Sequence, residues 1–151
     1  MIRVLICDGM SLKSSLIAAI LSHEPDMWVV GSASTVRDSL RHIPQCDVLL
    51  IGNSLPRTDA LAVAIAAAST TPHVKTIAVG YRALEPLLTE LLKAGATGYV
   101  LQDASVAELL STIRVLNLGK RSDCTREATN LPRTTVRDRT DLTARQRTRA
   151  A

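Results

Sequence analysis

The chain has few aromatic residues and lacks the long apolar runs that cross a membrane. Only 2% of its 151 residues are aromatic and Phe is absent, although 46% are hydrophobic. The core must therefore be built from Leu, Ile, Val and Ala, a composition that suits helices packed on a parallel sheet. No signal peptide is recognisable, and the apolar segments are shorter than the roughly 18 residues of a membrane-spanning helix. We expect a cytoplasmic protein that does not enter the membrane.

Cysteine and histidine are also sparse, and neither has the spacing of metal ligands. The three cysteines, Cys7, Cys46 and Cys124, form no CxxC pair, and the three histidines are far apart in sequence. Reduced thiols and no metal site are therefore expected. The phosphate-binding patterns GxGxxG and GxxxxGKS/T and the nucleophile pattern GxSxG are missing as well. These absences predict a protein that is not an enzyme and holds no cofactor.

Positive charge is concentrated at the carboxyl-terminal end of the chain. Residues 120–151 contain nine Lys or Arg and four acids, a net charge of +5, whereas the whole chain carries +4. Residues 1–119 are therefore close to neutral, at −1. A basic segment of this kind is typical of a solvated linker or of a region near nucleic acid, and both interpretations stay open.

Hydrophobic periodicity predicts five strands that alternate with five helices. The strands are expected at 2–7, 27–31, 48–51, 75–79 and 97–101, and the helices at 12–21, 34–43, 59–69, 84–92 and 106–116. The third strand, four aliphatic residues followed by Gly52, reads as buried on both faces. This alternation predicts an α/β fold, a doubly wound five-stranded parallel sheet of order 2-1-3-4-5 similar to that of flavodoxin.

The sequence also predicts which residues cap the helices and which face the core. Gly95 is expected to cap the fourth helix in a left-handed conformation, and Ser105 with Glu108 forms a capping box that opens the fifth. Apolar residues at helical spacing are expected on the core faces, among them Leu12 and Leu16 of the first helix, Leu84 of the fourth and Val106 of the fifth.

The predicted fold brings the ends of four strands together. In a doubly wound sheet the ligand crevice lies beyond the carboxyl ends of the strands where the winding reverses, here strands one and three. The residues expected at this edge are Asp8, Gly9, Gly52, Asn53, Gly80 and Gln102.

Three stretches of this frame resemble the receiver domain of response regulators, and in particular the NarL/FixJ subfamily. They are Ile2-Arg-Val-Leu-Ile-Cys-Asp8, Asp47-Val-Leu-Leu-Ile51 and Ala94-Gly-Ala-Thr-Gly-Tyr-Val-Leu-Gln-Asp-Ala-Ser105, and the resemblance covers residues 1 to about 119. In that family two acids after strand one hold Mg²⁺ and an aspartate after strand three accepts a phosphoryl group. A Ser or Thr after strand four and a Lys after strand five contact that group.

The resemblance implies a degenerate phosphorylation site. Asp8 matches the first acid, whereas Gly9 stands for the second acid and Gly52 for the phosphoacceptor. Gly80 replaces the hydroxyl residue and Gln102 the lysine. Tyr99 matches the switch aromatic of the family. An acyl phosphate cannot form at Gly52, which has no side chain, and one carboxylate is a poor Mg²⁺ site.

Two questions about this site remain open from the sequence. Asp8 could serve only to hydrogen-bond the first loop, or it could be a remaining anion that meets a cation or a ligand. The side-chain volume lost at Gly52 and Gly80 could be filled by a collapse that locks the domain in one state. It could instead leave a small-molecule pocket lined by Asp8, Asn53, Tyr99 and Gln102.

Residues after the predicted receiver point to a transcription factor. Residues 120–141 lose hydrophobic periodicity and read as a basic linker, and Leu142-Thr-Ala-Arg-Gln-Arg147 resembles the opening of a LuxR-type helix-turn-helix domain. Residues 142–151 are thus interpreted as the start of a truncated DNA-binding domain. The predicted function is phosphorylation-independent control of transcription through dimerisation, with Val115 and Leu118 on the candidate dimer face. A histidine kinase remains a candidate partner. The alternative is a stand-alone protein-interaction or ligand-sensing module.

Overall fold

A computed structural model of the chain describes residues 1–119, which alternate strands and helices throughout. The strands are β1 (Ile2–Cys7), β2 (Met27–Ala33), β3 (Val48–Gly52), β4 (Lys75–Tyr81) and β5 (Gly98–Leu101). The helices are α1 (Ser11–Ser22), α2 (Val36–His42), α3 (Arg57–Thr70), α4 (Pro86–Ala94) and α5 (Val106–Asn117), with a 3₁₀ turn at Ile43–Gln45. Cys124, the linker prediction for 120–141 and the helix-turn-helix prediction for 142–151 lie outside the described residues.

The five strands form one parallel sheet of order β2-β1-β3-β4-β5, which confirms the predicted topology. Alternate residues of the central strands face opposite sides of this sheet. Leu5, Leu49 and Ile51 enter one apolar cluster together with α3 and α4, whereas the other face packs against α1 and α5. The central strand β3 is buried on both faces along its whole length. That burial is the reason for its unbroken aliphatic run.

The predicted helix caps are present. Glu108 N donates to Ser105 Oγ at 3.1 Å while Ser105 N donates to Glu108 Oε1 at 2.7 Å, so the capping box closes in both directions. Gly95 follows α4 with φ of +125°. A Cβ at Gly95 would lie 2.6 Å from Cβ of Ala68, so the close contact between α3 and α4 also requires glycine here.

Some helix faces differ from the prediction. Leu12 and Leu16 are 67% and 56% exposed, because α1 turns Ile17, Ala18 and Leu21 to the sheet instead. Helical spacing defines an apolar stripe, but α1 is apolar on more than one side and the spacing does not decide which side packs.

The prediction is also wrong at the starts of two helices. Leu84 is 89% exposed and precedes α4, which begins at Pro86, a residue suited to the first helical turn. Val106 is 48% exposed at the start of α5. Leu84 lies before the first turn of α4 and Val106 lies in the first turn of α5, and the sheet covers neither side chain.

Candidate functional site

The site lies where β1, β3 and β4 end. Cys7 of β1 pairs with Ile51 of β3, and Gly52 pairs with Val79 of β4. This register places Asp8, Gly52 and Gly80 side by side at the carboxyl edge of the sheet. Gln102 follows β5 at the same edge, where its N–H donates to Tyr81 O at 2.9 Å. The structure therefore brings together the strand-end residues that the topology predicted.

Within residues 1–119, Asp8 is the one buried carboxylate, and it lies at this edge. It is only 1% exposed, and its Oδ1 accepts a hydrogen bond from Met10 N at 3.0 Å, which holds the β1–α1 loop. Its other oxygen, Oδ2, is buried without a hydrogen bond. A buried carboxylate oxygen needs a compensating partner, because removal from water strongly disfavours the charged form.

The Asp8 carboxylate lies directly against the Cα of Gly52. A Cβ built on Gly52 would lie 1.9 Å from Asp8 Oδ2 and 2.5 Å from Asp8 Cγ, well inside van der Waals contact. The Asp8 side chain thus occupies the space that any side chain at Gly52 would need. On the other side, the Tyr81 hydroxyl donates a hydrogen bond to Gly52 O at 2.9 Å.

Gly9 and Gly80 are also fixed by their surroundings. A Cβ at Gly9 would lie 2.5 Å from the backbone oxygen of Ser54, so a second acid does not fit there unless the β3–α3 loop moves. Gly80 has φ of +87°, a conformation that side chains with a Cβ rarely adopt. Gly80 lies within β4 where its pairing with β5 shifts register, and Asn53 Nδ2 donates to Gly80 O at 2.8 Å.

Lys13 supplies the cation of the site, and the sequence analysis missed it. Its Nζ lies 3.3 Å from Asp8 Oδ2 and 3.1 Å from Ser54 Oγ, and it contacts Asn53 Oδ1. The 3.3 Å approach to Asp8 is an ion pair without hydrogen-bond alignment, which agrees with the lack of a hydrogen bond at Oδ2. The position of Lys13 in the sequence could have indicated this role. A lysine in the first turn of α1 lies near the carboxyl edge of the sheet, where Asp8 also lies.

Burial is the largest cause of the raised pKa values of Tyr81, Cys7 and Cys46, of which Tyr81 and Cys7 lie beside these loops and Cys46 lies before β3. Burial raises the pKa of the Tyr81 hydroxyl, with smaller contributions from the negative charges of Glu85 and Asp8. The hydroxyl therefore stays protonated and keeps donating to Gly52 O. Burial likewise raises the pKa of the Cys7 thiol to about 11 and that of Cys46 to about 12, and both cysteines are free.

The predicted pocket residues divide into two groups. Asn53 and Gln102 line a surface groove of about 590 Å³ at the ends of β3, β4 and β5. Its other lining residues are Arg82, Leu84, Glu85 and Pro86. Asp8 and Tyr99 do not line it, since both lie in the interior at 1% and 3% exposure. Val115 of α5 is half-buried, and Leu118, which follows α5, is 68% exposed.

Comparison with curated proteins finds response regulators. The chain is 32% identical over 123 residues to the response regulator GacA of Pseudomonas viridiflava and 32% identical over 123 residues to UvrY of Escherichia coli. Both matches cover 80% of this chain, but the chain spans only 58% and 56% of those relatives. No model of a known protein family matches.

Solved structures show the same fold. The receiver domain of NarL from Mycobacterium tuberculosis matches 79% of this chain and 98% of its own length, with a TM-score of 0.70 and 25% identity. RcsB, in a structure of two dimers bound to two parallel DNAs, matches 80% of this chain with a TM-score of 0.69 and 20% identity. Residues 1–119 therefore have the fold of a receiver domain, and their sequence is similar to that of response regulators.

The Mg²⁺ ion that receiver domains use does not fit the residues present here. Mg²⁺ requires oxygen ligands at about 2.0–2.1 Å in octahedral geometry and is usually bound through one or two carboxylates. Asp8 is a single carboxylate, and the ammonium group of Lys13 lies against its unbonded oxygen. Within residues 1–119 no three His, Cys, Asp or Glu side chains form a metal-binding group.

In the same part of the chain no helix is long and apolar enough to span a bilayer.

Proposed function

We propose that residues 1–119, the receiver domain of a response regulator, act in transcriptional control without being phosphorylated. The observation that carries the proposal is the overlap between Asp8 and the missing side chain of Gly52, where a Cβ would lie 1.9 Å from Asp8 Oδ2. Gly52 thus has no side chain that could accept a phosphoryl group, and the Asp8 carboxylate fills the space that such a side chain would need. The domain has no catalytic role in this proposal.

The remaining groups at the site support the same conclusion. Phosphoryl transfer depends on an in-line nucleophile and on cations that offset the charge of the transferred group. Gly52 offers no nucleophile, Gly80 no hydroxyl and Gln102 no charge. Lys13 is a cation, but it is already paired with Asp8 at 3.3 Å.

The output of the domain is proposed to be a homodimer that positions a DNA-binding region. GacA and UvrY are response regulators, and a structure of RcsB contains two dimers bound to two parallel DNAs. For the present chain, the LuxR-like phrase at residues 142–147 and the basic segment before it favour membership of the NarL/FixJ subfamily and binding to DNA. Leu118, 68% exposed at the end of α5, extends the apolar surface available to a second copy.

Sedimentation velocity at micromolar concentration tests this proposal. The chain is compared with and without acetyl phosphate and Mg²⁺, and a Leu118→Glu variant serves as the interface control. We expect a dimer under both conditions and a shift toward monomer in the variant. A chain that is monomeric until acetyl phosphate is added would contradict the proposal. Reading the coding frame beyond Ala151 tests the DNA-binding part, since a helix-turn-helix is expected there.

A second candidate function is the sensing of a small molecule, favoured by the groove at the ends of β3, β4 and β5. The groove has a volume of about 590 Å³ and is open to solvent, and amide and charged groups that could hydrogen-bond a polar ligand line it beside Leu84 and Pro86. A thermal-shift screen of metabolites tests it. A true ligand should raise the melting temperature of the natural chain but not of a Gln102→Trp variant, whose indole fills the groove. A screen without hits, or hits that bind both proteins equally, would remove this candidate.

A further inference from the structure

Lys13 occupies an unusual position for a lysine. It is the third residue of α1, where the positive end of the helix dipole disfavours a cation. Its side chain is only 33% exposed. Neither helix stability nor solvation therefore accounts for the direction of this side chain, which must be set by the groups that it contacts.

Those groups are three oxygens of the degenerate site. Lys13 Nζ contacts Asp8 Oδ2, Asn53 Oδ1 and Ser54 Oγ. Asp8 follows β1, and Asn53 and Ser54 follow β3. The ammonium group thus bridges the loop after β1, which carries the metal-binding acids in the receiver family, and the loop after β3, which follows the phosphoacceptor position, and it meets a carboxylate that is fully buried.

We propose that Lys13 is a built-in replacement for the divalent cation of this receiver. Its positive charge neutralises Asp8 permanently, and its contacts tie the start of α1 to the β3–α3 loop. The inference rests on the proposed function, because only a domain that needs no metal for phosphoryl transfer can keep a side chain in that place. The inference adds to that function that one residue, Lys13, prevents a divalent cation from binding at Asp8.

Removal of the ammonium group should open the site to a divalent ion. In a Lys13→Met variant the Asp8 carboxylate loses its counter-ion, while the oxygens of Asp8, Asn53 and Ser54 remain. Mn²⁺ is the probe, because it accepts the same oxygen ligands and its binding can be followed by electron paramagnetic resonance. Lys13→Arg keeps the charge and is the matched control, and the double variant Lys13→Met with Asp8→Asn removes the anion as well.

We expect Lys13→Met to bind Mn²⁺ at least about tenfold more tightly than the natural chain, with one carboxylate giving a dissociation constant on the order of a millimolar. Lys13→Arg and the double variant should behave like the natural chain. If Lys13→Met does not fold, Lys13→Gln replaces it, and the melting temperature of that variant should rise with added Mn²⁺ while that of the natural chain does not.

Two results would overturn the inference. One is Mn²⁺ binding by the natural chain as tight as that of Lys13→Met, and the other is a folded Lys13→Met or Lys13→Gln variant that gains no binding. Neither result affects the proposed function, which fails if the chain accepts a phosphoryl group or needs one to dimerise.

Discussion

Replacement of Gly52 by alanine should destabilise this protein, although a Gly→Ala change in a strand ordinarily does the opposite. Alanine restricts the unfolded chain and stabilises a compatible site by about 0.4–1 kcal/mol. At Gly52 the new methyl group would lie 1.9 Å from Asp8 Oδ2 and 3.0 Å from Asp8 Cβ, so the carboxylate must move. Its displacement breaks the ion pair with Lys13 and the hydrogen bond from Met10 N.

The expected cost follows from these two effects. Overpacking of a tight interior site costs about 1–3 kcal/mol, and a disturbed buried ion pair costs up to about 3–5 kcal/mol when its partner is lost completely. Because Asp8 is displaced and not removed, we expect a net loss of about 2–4 kcal/mol in the free energy of unfolding. The assay is urea denaturation followed by circular dichroism at neutral pH.

Gly31→Ala is the matched control for this experiment. Gly31 also lies in a strand, but a Cβ there would meet only the His42 ring, at 3.8 Å. This variant should be as stable as the natural chain or slightly more stable. Asp8→Ala should make Gly52→Ala less harmful, so that the double-mutant cycle gives a coupling energy above about 1 kcal/mol. The reasoning is refuted if Gly52→Ala and Gly31→Ala differ by less than about 0.5 kcal/mol, the usual size of a surface substitution.

Two further predictions concern contacts around the sheet. Tyr81→Phe should lower the free energy of unfolding by about 1–2 kcal/mol, since it removes the buried hydrogen bond to Gly52 O; a loss below about 0.5 kcal/mol in urea denaturation would speak against that bond. Hydrogen bonds and charge from Arg3 hold the pKa of Asp47 below its ordinary value, so this pair stabilises the fold above about pH 4 and loses its effect as the pH falls through the lowered pKa. Arg3→Met should therefore have a lower urea midpoint than the natural chain at pH 7, and the difference should shrink as the pH falls below about 4; a difference that stays constant would contradict the assignment.

The architecture could be predicted from the sequence because each strand carries its own signal. The aliphatic run before Gly52 is long enough for a strand and too short for a helix, and strand-to-helix alternation then fixes a parallel sheet. The order of strands places Asp8 beside Gly52 without any knowledge of side-chain contacts. The capping box at Ser105 was equally predictable, since its two hydrogen bonds join residues three positions apart.

What fills the degenerate site could not be predicted in the same way. The sequence shows that Gly52 and Gly80 lack side chains, but the position of the Asp8 carboxylate depends on packing between two loops 44 residues apart in sequence. Lys13 was missed because a long side chain can turn to solvent or inward, and the sequence does not distinguish these directions. Gly52→Leu, a natural choice to fill an empty pocket, would instead collide with Asp8.

The most direct test of the account is the intact mass of the chain after incubation with acetyl phosphate and Mg²⁺. A receiver domain with the complete set of acids serves as positive control, and Gly52→Asp shows whether the acceptor alone is sufficient. The account predicts no mass change for the natural chain, and none for Gly52→Asp, because Gly9 still supplies no second acid for Mg²⁺ and neither Gly80 nor Gln102 assists transfer. A gain of one phosphoryl group on most molecules of the natural chain would contradict it.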